Sequence, residues 1–189
     1  MLSRRRFLLA VLSALSWARE SLAQDGVFLS EEEAPKAVFP EGTSFERLVI
    51  KATPELRERM KALLGRARPS IWEGAYTTFL AKRGEELLGY AIIVEEIGKH
   101  RPITFVVGVK KDGKVQDVAV MVYREPYGGE VRYRRFLKQY QGRNLHASLL
   151  SSHGIRNIAG ATLSVEAIGR GVKKALALAR VAYLEEEKP

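Results

Sequence analysis

Apolar and polar positions follow two rhythms along this chain, and the changes between them mark its elements. Thr53-Pro54-Glu55 offers a cap, a proline at the first helical position and an acid in the first turn. Leu56, Met60, Leu63 and Leu64 then share one face as far as Gly65, with Arg57, Arg59, Lys61 and Arg66 around the others. This spacing predicts a helix packed on a sheet. The rhythm then shortens to that of strands, over Tyr76–Lys82 and Leu87–Glu95, with Arg83-Gly84-Glu85-Glu86 as the turn. Two more follow, Ile103–Val109 and Val115–Val122, and the Asp112-Gly113 pair between them is a strong hairpin signal. Four strands joined by short turns imply an antiparallel sheet.

Helical spacing returns twice. Glu130–Tyr140 predicts a helix carrying Val131, Arg134, Arg135 and Lys138 around Phe136 and Leu137, ended by Gly142. From Val165 to Tyr183, the residues Val165, Ile168, Val172, Leu176, Ala179 and Tyr183 form one buried stripe. The fold class is therefore α+β: an antiparallel twisted sheet of at least four strands with flanking helices, and a C-terminal helix after a Gly-Ala-Thr loop. Residues 24–43 are acidic at Glu31-Glu32-Glu33 and broken by Pro35 and Pro40, so they read as an extended spacer, with Val27, Phe28 and Leu29 free to dock locally. At 189 residues, one folded domain over 44–189 is expected.

Residues 1–23 combine a basic start, an apolar run from Phe7 to Ala18 and a small-residue site at Ser21-Leu22-Ala23, the layout of an export signal. Ser3-Arg4-Arg5-Arg6-Phe7-Leu8 resembles the twin-arginine export signal, an address read by a receptor. Such an address places the protein in the periplasm or cell envelope. That route carries folded proteins, often with a cofactor loaded, so the resemblance favours a prosthetic group. The chain has no cysteine, which excludes disulfides, thiolate metal sites and a cysteine nucleophile. Its net charge is +9; residues 1–23 hold four arginines and one glutamate, so +6 remains without them. A positive surface suits an anionic membrane face, a phosphate-bearing ligand or nucleic acid, and export makes nucleic acid the poorest of the three.

No Walker loop, Gly-x-Gly-x-x-Gly, Gly-x-Ser-x-Gly or His-Glu-x-x-His is present. His100, His146 and His153 lack ligand spacing and read as surface or loop residues. The Glu95-Glu96 and Glu185-Glu186-Glu187 runs read as solvated. Neither a catalytic dyad nor a metal site is expected. The remaining candidate is Ala159-Gly160-Ala161-Thr162-Leu163-Ser164, a loop of small residues entering a helix. Two readings fit it: a tight turn capped by Thr162 or Ser164, or a phosphate site in which backbone N–H groups and the positive helix end meet an anion.

Gly160-Ala161-Thr162-Leu163-Ser164 resembles the Ser/Thr-Gly-Ala-Thr-x-Ser/Thr signature of the FMN-binding domain family, which includes flavin-carrying subunits of the sodium-pumping quinone reductase and the Rnf complex. Further likenesses run in the same order. Lys110–Val115 is similar to the hairpin before that family's Glu-Thr-Pro-Gly loop, Tyr123-Arg124-Glu125-Pro126-Tyr127-Gly128-Gly129 to a variant of the loop, and Arg134–Gly142 to a segment of exported members. The resemblance covers roughly residues 75–180. It implies FMN attached through its phosphate to the Thr162 hydroxyl by a separate flavin transferase. It places Gly160, Ala161, Leu163 and Ser164 around the phosphate, and Glu125, Tyr127 and Gly128 near the ring, with Arg132 or Arg135 available to neutralise charge. Ala159 replaces the usual Ser or Thr, Arg156 stands where Asp is common, and the Glu125 loop lacks its threonine.

The expected role is an electron carrier between membrane or soluble redox partners rather than a stand-alone enzyme. The alternative is an exported binding or sensory module on the same fold with noncovalent or no flavin.

Overall fold

The computed structural model describes residues 26–151 and 154–185. The expected export signal, the first residues of the expected spacer, His153 and the end of the acidic tail lie outside the described residues.

Five strands form one antiparallel meander: β1 (Ser44–Lys51), β2 (Ala75–Arg83), β3 (Glu86–Ile97), β4 (Pro102–Lys110) and β5 (Val115–Tyr123), side by side in that order. The four predicted strands are present, each lengthened by one to three residues. β1 was not legible from the pattern, for a physical reason. It is an edge strand, paired only with β2 from Ser44 opposite Lys82 to Lys51 opposite Ala75, and Glu46, Arg47 and Lys51 face solvent. Charged edge strands discourage further pairing at the cost of the apolar alternation that would reveal them.

The predicted first helix spans Pro54–Leu64, and Thr53 Oγ1 accepts a hydrogen bond from the Leu56 N–H at 3.2 Å. The C-terminal helix begins at Thr162, three residues before the predicted apolar stripe, and runs to Ala179 before a wider π-helical turn over Arg180–Leu184. It packs on β3 and β4, and Val165, Ile168, Val172 and Leu176 enter the main core. The Tyr183 ring stacks on Tyr90 with centroids 4.2 Å apart, and its hydroxyl lies 2.6 Å from Thr78 Oγ1.

The described part of the expected spacer is an integral layer of the fold. A short helix, α1 (Ala34–Val38), together with Phe39 covers the sheet face opposite the C-terminal helix, where Ala34, Val38 and Phe39 are buried against Phe79, Ala91, Val106 and Met121. The Phe39 ring sits over two strand glycines: a Cβ on Gly89 would lie 2.8 Å from the ring, and one on Gly108 3.1 Å from it. Glycine inside a strand often marks such a close approach. Burying Val38 and Phe39 contributes about 1.5–3 kcal/mol each. With this face covered, both sides of the sheet are dry, which is why the central strands read as nearly continuous apolar runs.

Pro54–Leu64 is named α2 below. The predicted helix over Glu130–Tyr140 is broken into a 3₁₀ turn (Gly129–Arg132), a single helical turn α3 (Arg134–Leu137) and a second 3₁₀ turn (Lys138–Tyr140). Tyr133, with φ −69° and ψ 133°, makes the break. In one straight helix Val131 would face away from Phe136, Leu137 and Tyr140. The break lets all four reach the core, where all are buried.

Thr162–Ala179 becomes α4, and its middle holds a buried ion network. Lys174 is fully buried, with Nζ 2.9 Å from Glu73 Oε1, 3.0 Å from Glu96 Oε1 and 2.8 Å from the Glu95 carbonyl. Glu96 Oε2 accepts from Ser70 N–H at 2.8 Å and the Ser70 hydroxyl at 2.6 Å, and Arg170 Nε is 3.4 Å away. The expectation that Glu95-Glu96 forms a wet face is corrected for Glu96, which has no exposed surface. Its position on β3 points it under α4, where two cations and two carboxylates balance.

Candidate functional site

α4 starts without a side-chain cap. Ala161 occupies the cap position with φ −121° and ψ 16°, and Thr162 is the first helical residue. The expectation that Thr162 or Ser164 caps the helix is therefore corrected: the cap residue has a methyl group and no acceptor. The N–H groups of Thr162, Leu163 and Ser164 are first-turn donors with no intrahelical carbonyl to reach. Gly160 enters this turn with φ +80° and open space around its α-carbon.

The Ser164 side chain points into the protein instead. Its Oγ is 3.0 Å from the Tyr123 hydroxyl, which donates to the Tyr127 carbonyl at 2.5 Å. Since the single phenolic proton serves that carbonyl, Ser164 is the donor to the Tyr123 oxygen. Burial is the main cause raising the Tyr123 phenol above its ordinary pKa, so it stays protonated. Gly128 lies against the same pair with φ +81°; a Cβ there would sit 2.9 Å from the Tyr123 hydroxyl and 3.2 Å from Ser164 Oγ. These contacts fix the post-β5 loop to the start of α4.

Thr162 is exposed. Its Oγ1 accepts from Asn157 Nδ2 at 2.8 Å, while Asn157 Oδ1 accepts from the Ile158 N–H at 2.9 Å. The second bond sets which way the amide faces, so the Thr162 hydroxyl proton remains free to point outward.

The opposite wall is the turn between β3 and β4. The buried Glu125 carboxylate accepts from the N–H groups of His100 at 2.5 Å and Arg101 at 3.0 Å, with the Lys99 N–H also directed at it. Burial is the largest single influence on Glu125 and raises its pKa, but the three backbone donors and the nearby His100 outweigh it and hold the carboxyl below its ordinary value. Glu125 thus shapes the turn that presents Lys99 and His100.

Between these walls lies a cavity of about 390 Å³, lined by Lys99, His100, Glu125, Pro126, Tyr127 and residues 160–164. Its size falls among small-ligand sites. Tyr127 is 80 % exposed and Leu163 51 %, leaving an aromatic and an aliphatic side chain on its rim. Glu125, Tyr127, Gly160, Ala161, Thr162, Leu163 and Ser164, far apart in sequence, all meet here, while Gly128 packs behind the wall. Arg132 and Arg135 do not line the cavity; their guanidinium groups lie over Phe28 and Tyr133. Lys99 has no place in the sequence expectations, His100 reads there only as a surface or loop residue, and Pro126 only as part of the Glu125 loop. The signal for the first two was Gly98-Lys99-His100-Arg101, a basic turn between two strands, though nothing in the pattern points it toward residue 162.

The donor set fits a phosphate-bearing ligand: three free N–H groups at a positive helix end, a free hydroxyl, and Lys99 and His100 across the gap. The apolar rim suits a flat ring system. No curated protein matches the chain. Residues 98–177, which contain every residue lining the cavity, match the family model of the FMN-binding domain, and FMN is the cofactor that this match indicates.

Proposed function

We propose that the protein is an exported FMN carrier, with the flavin phosphate esterified to Thr162 Oγ1, that relays electrons between redox partners. The observation that carries this reading is the uncapped start of α4, where the outward hydroxyl of Thr162 and three free N–H groups open on the cavity. The flavin supplies the electron chemistry when bound. The chain's own residues bind and orient it. Thr162 anchors the phosphate, the first-turn N–H groups and Lys99 offset its charge, and Tyr127 and Leu163 cover the ring. Glu125 is a positioning residue that keeps the 98–101 turn against the cavity. Electron transfer needs no side-chain acid or base, in keeping with a site whose only carboxylate is committed to backbone N–H groups. A covalent bond prevents loss of a cofactor that cannot be replenished outside the cytoplasm.

The test is to coexpress the chain with a flavin transferase and look for flavin fluorescence on a denaturing gel. Fluorescence that survives denaturation and disappears in Thr162→Ala is the expected result. Flavin released on denaturation assigns noncovalent binding, and a protein without flavin in the native state overturns the carrier reading. Export is tested separately by replacing Arg4 and Arg5 with Lys, which is expected to retain the protein in the cytoplasm.

A further inference from the structure

Beside the cavity, aromatic and arginine side chains alternate along the β5 edge. Arg132 Cζ lies 4.7 Å from the centre of the Phe28 ring and 5.6 Å from that of Tyr133, and Arg135 Cζ lies 5.9 Å from the Tyr133 centre. Phe28 is 39 % exposed and Tyr133 45 %. With Tyr127 and Leu163 on the cavity rim, they make up all but one of the large exposed hydrophobic side chains among the described residues; the other is Val49, on β1 at the opposite sheet edge. Exposed apolar surface is thus concentrated around the cavity and the strip next to it.

The charge there is one-sided. Residues 124–143 include six basic side chains and two acidic ones, Glu125 and Glu130, and Glu125 is tied to backbone N–H groups. Arg134 pairs with Asp117 at 2.9 Å. Among the described residues Arg124, Arg132, Arg135, Lys99 and Arg101 have no acidic partner, whereas on the two strands at the far side of the sheet Arg47, Lys82 and Arg83 each have one and only Lys51 does not.

We propose that the strip Phe28–Arg132–Tyr133–Arg135 is the docking surface for the acidic face of a protein that exchanges electrons with the cofactor, an inference that rests on the carrier reading above. Arginine and tyrosine are the side chains that most often anchor protein interfaces. Each guanidinium here already lies over a ring, which reduces the ordering cost of binding, and a guanidinium can grip a carboxylate bidentately. The unpaired cations steer an acidic surface toward the strip. Arg132 follows Gly128 by one 3₁₀ turn, so a partner seated there covers the side of the cavity bounded by Tyr127.

The test titrates the full chain with a flavodoxin as an acidic protein probe, cytochrome c as a basic one, and phosphatidylglycerol vesicles. Binding to flavodoxin that weakens with salt is expected, and Arg132→Glu with Arg135→Glu lowers it about tenfold. Tyr133→Ala lowers it several-fold, with unchanged melting in both variants. Lys51→Glu with Arg68→Glu, which reverses the same charge away from the strip, changes it less than twofold. Three results overturn the proposal: no binding of flavodoxin, equal loss in the Lys51/Arg68 pair, or binding through the strip to vesicles alone, which assigns it to lipid. Because this readout needs no flavin, the two readings fail separately. Docking as expected with no electron exchange by the flavin-loaded protein sinks the carrier reading, whereas exchange without docking at the strip sinks only this proposal.

Discussion

The two ends of α4's working length treat polar groups in opposite ways. At positions 170 and 174 both charges are consumed: Lys174 is surrounded by Glu73, Glu96 and two carbonyls, and Glu96 by Ser70, Arg170 and Lys174. At positions 162–164 the donors are left over, with no cap behind them and a cavity in front. A polar group satisfied inside the protein serves the fold, and one left unsatisfied at a cavity is available to a ligand. The same helix thereby anchors the loop over 66–74 and offers a binding site eight residues earlier.

The largest expected effect comes from breaking the consumed end. Lys174→Met leaves Glu73 and Glu96 buried without their cation and is expected to lower stability by about 3–5 kcal/mol, read by denaturant unfolding of the flavin-free chain. A loss below about 1 kcal/mol shows that the network is solvated and the comparison wrong. Next is Tyr123→Phe, which deprives the Tyr127 carbonyl of its donor and Ser164 of its acceptor, both against the cavity wall. About 1–2 kcal/mol is expected, with weaker flavin retention because the loop carrying Tyr127 is released.

Much of this was legible in the sequence. Alternation and the Asp-Gly turn gave four strands, the 3.6-residue stripe gave α4, and the small-residue loop before Thr162 pointed to the helix start that borders the cavity. What escaped depended on contacts between distant segments. Phe39 has a partner only once Gly89 and Gly108 are side by side, and β1's charges hide an edge strand. Glu96 reads as wet because its two cations are more than 70 residues downstream. The role of Glu125 is of this kind too: a glutamate beside a proline gives no hint that its acceptors face the backbone of residues 99–101.

Glu125→Gln sharpens the comparison through pH. The folded carboxyl titrates below the ordinary value of 4.5, so its contribution is fully present above that value and is lost as pH falls through the folded pKa. At pH 7 the substitution is expected to cost about 1 kcal/mol. The gap between the two proteins should close as pH is lowered below 4.5, measured as denaturation midpoints between pH 7 and 3. A gap that stays constant shows that the charge itself contributes nothing at this turn.

The smallest effect on stability is expected where the effect on function is greatest. Thr162 is exposed, caps nothing and makes one hydrogen bond, from Asn157, whose amide can turn to water when the hydroxyl is gone. Thr162→Ala also replaces a β-branched residue by a better helix former at the first helical position. The unfolding free energy of the flavin-free chain should therefore stay within about 0.5 kcal/mol of the unsubstituted protein, while flavin that survives denaturation is lost entirely. Asn157→Ala separates the hydroxyl's orientation from its presence: slower attachment with the same final yield is expected, since the nucleophile remains and only its alignment is relaxed. If Thr162→Ala instead costs 2 kcal/mol or more, the hydroxyl serves the fold, and the start of α4 is no more available to a ligand than its middle.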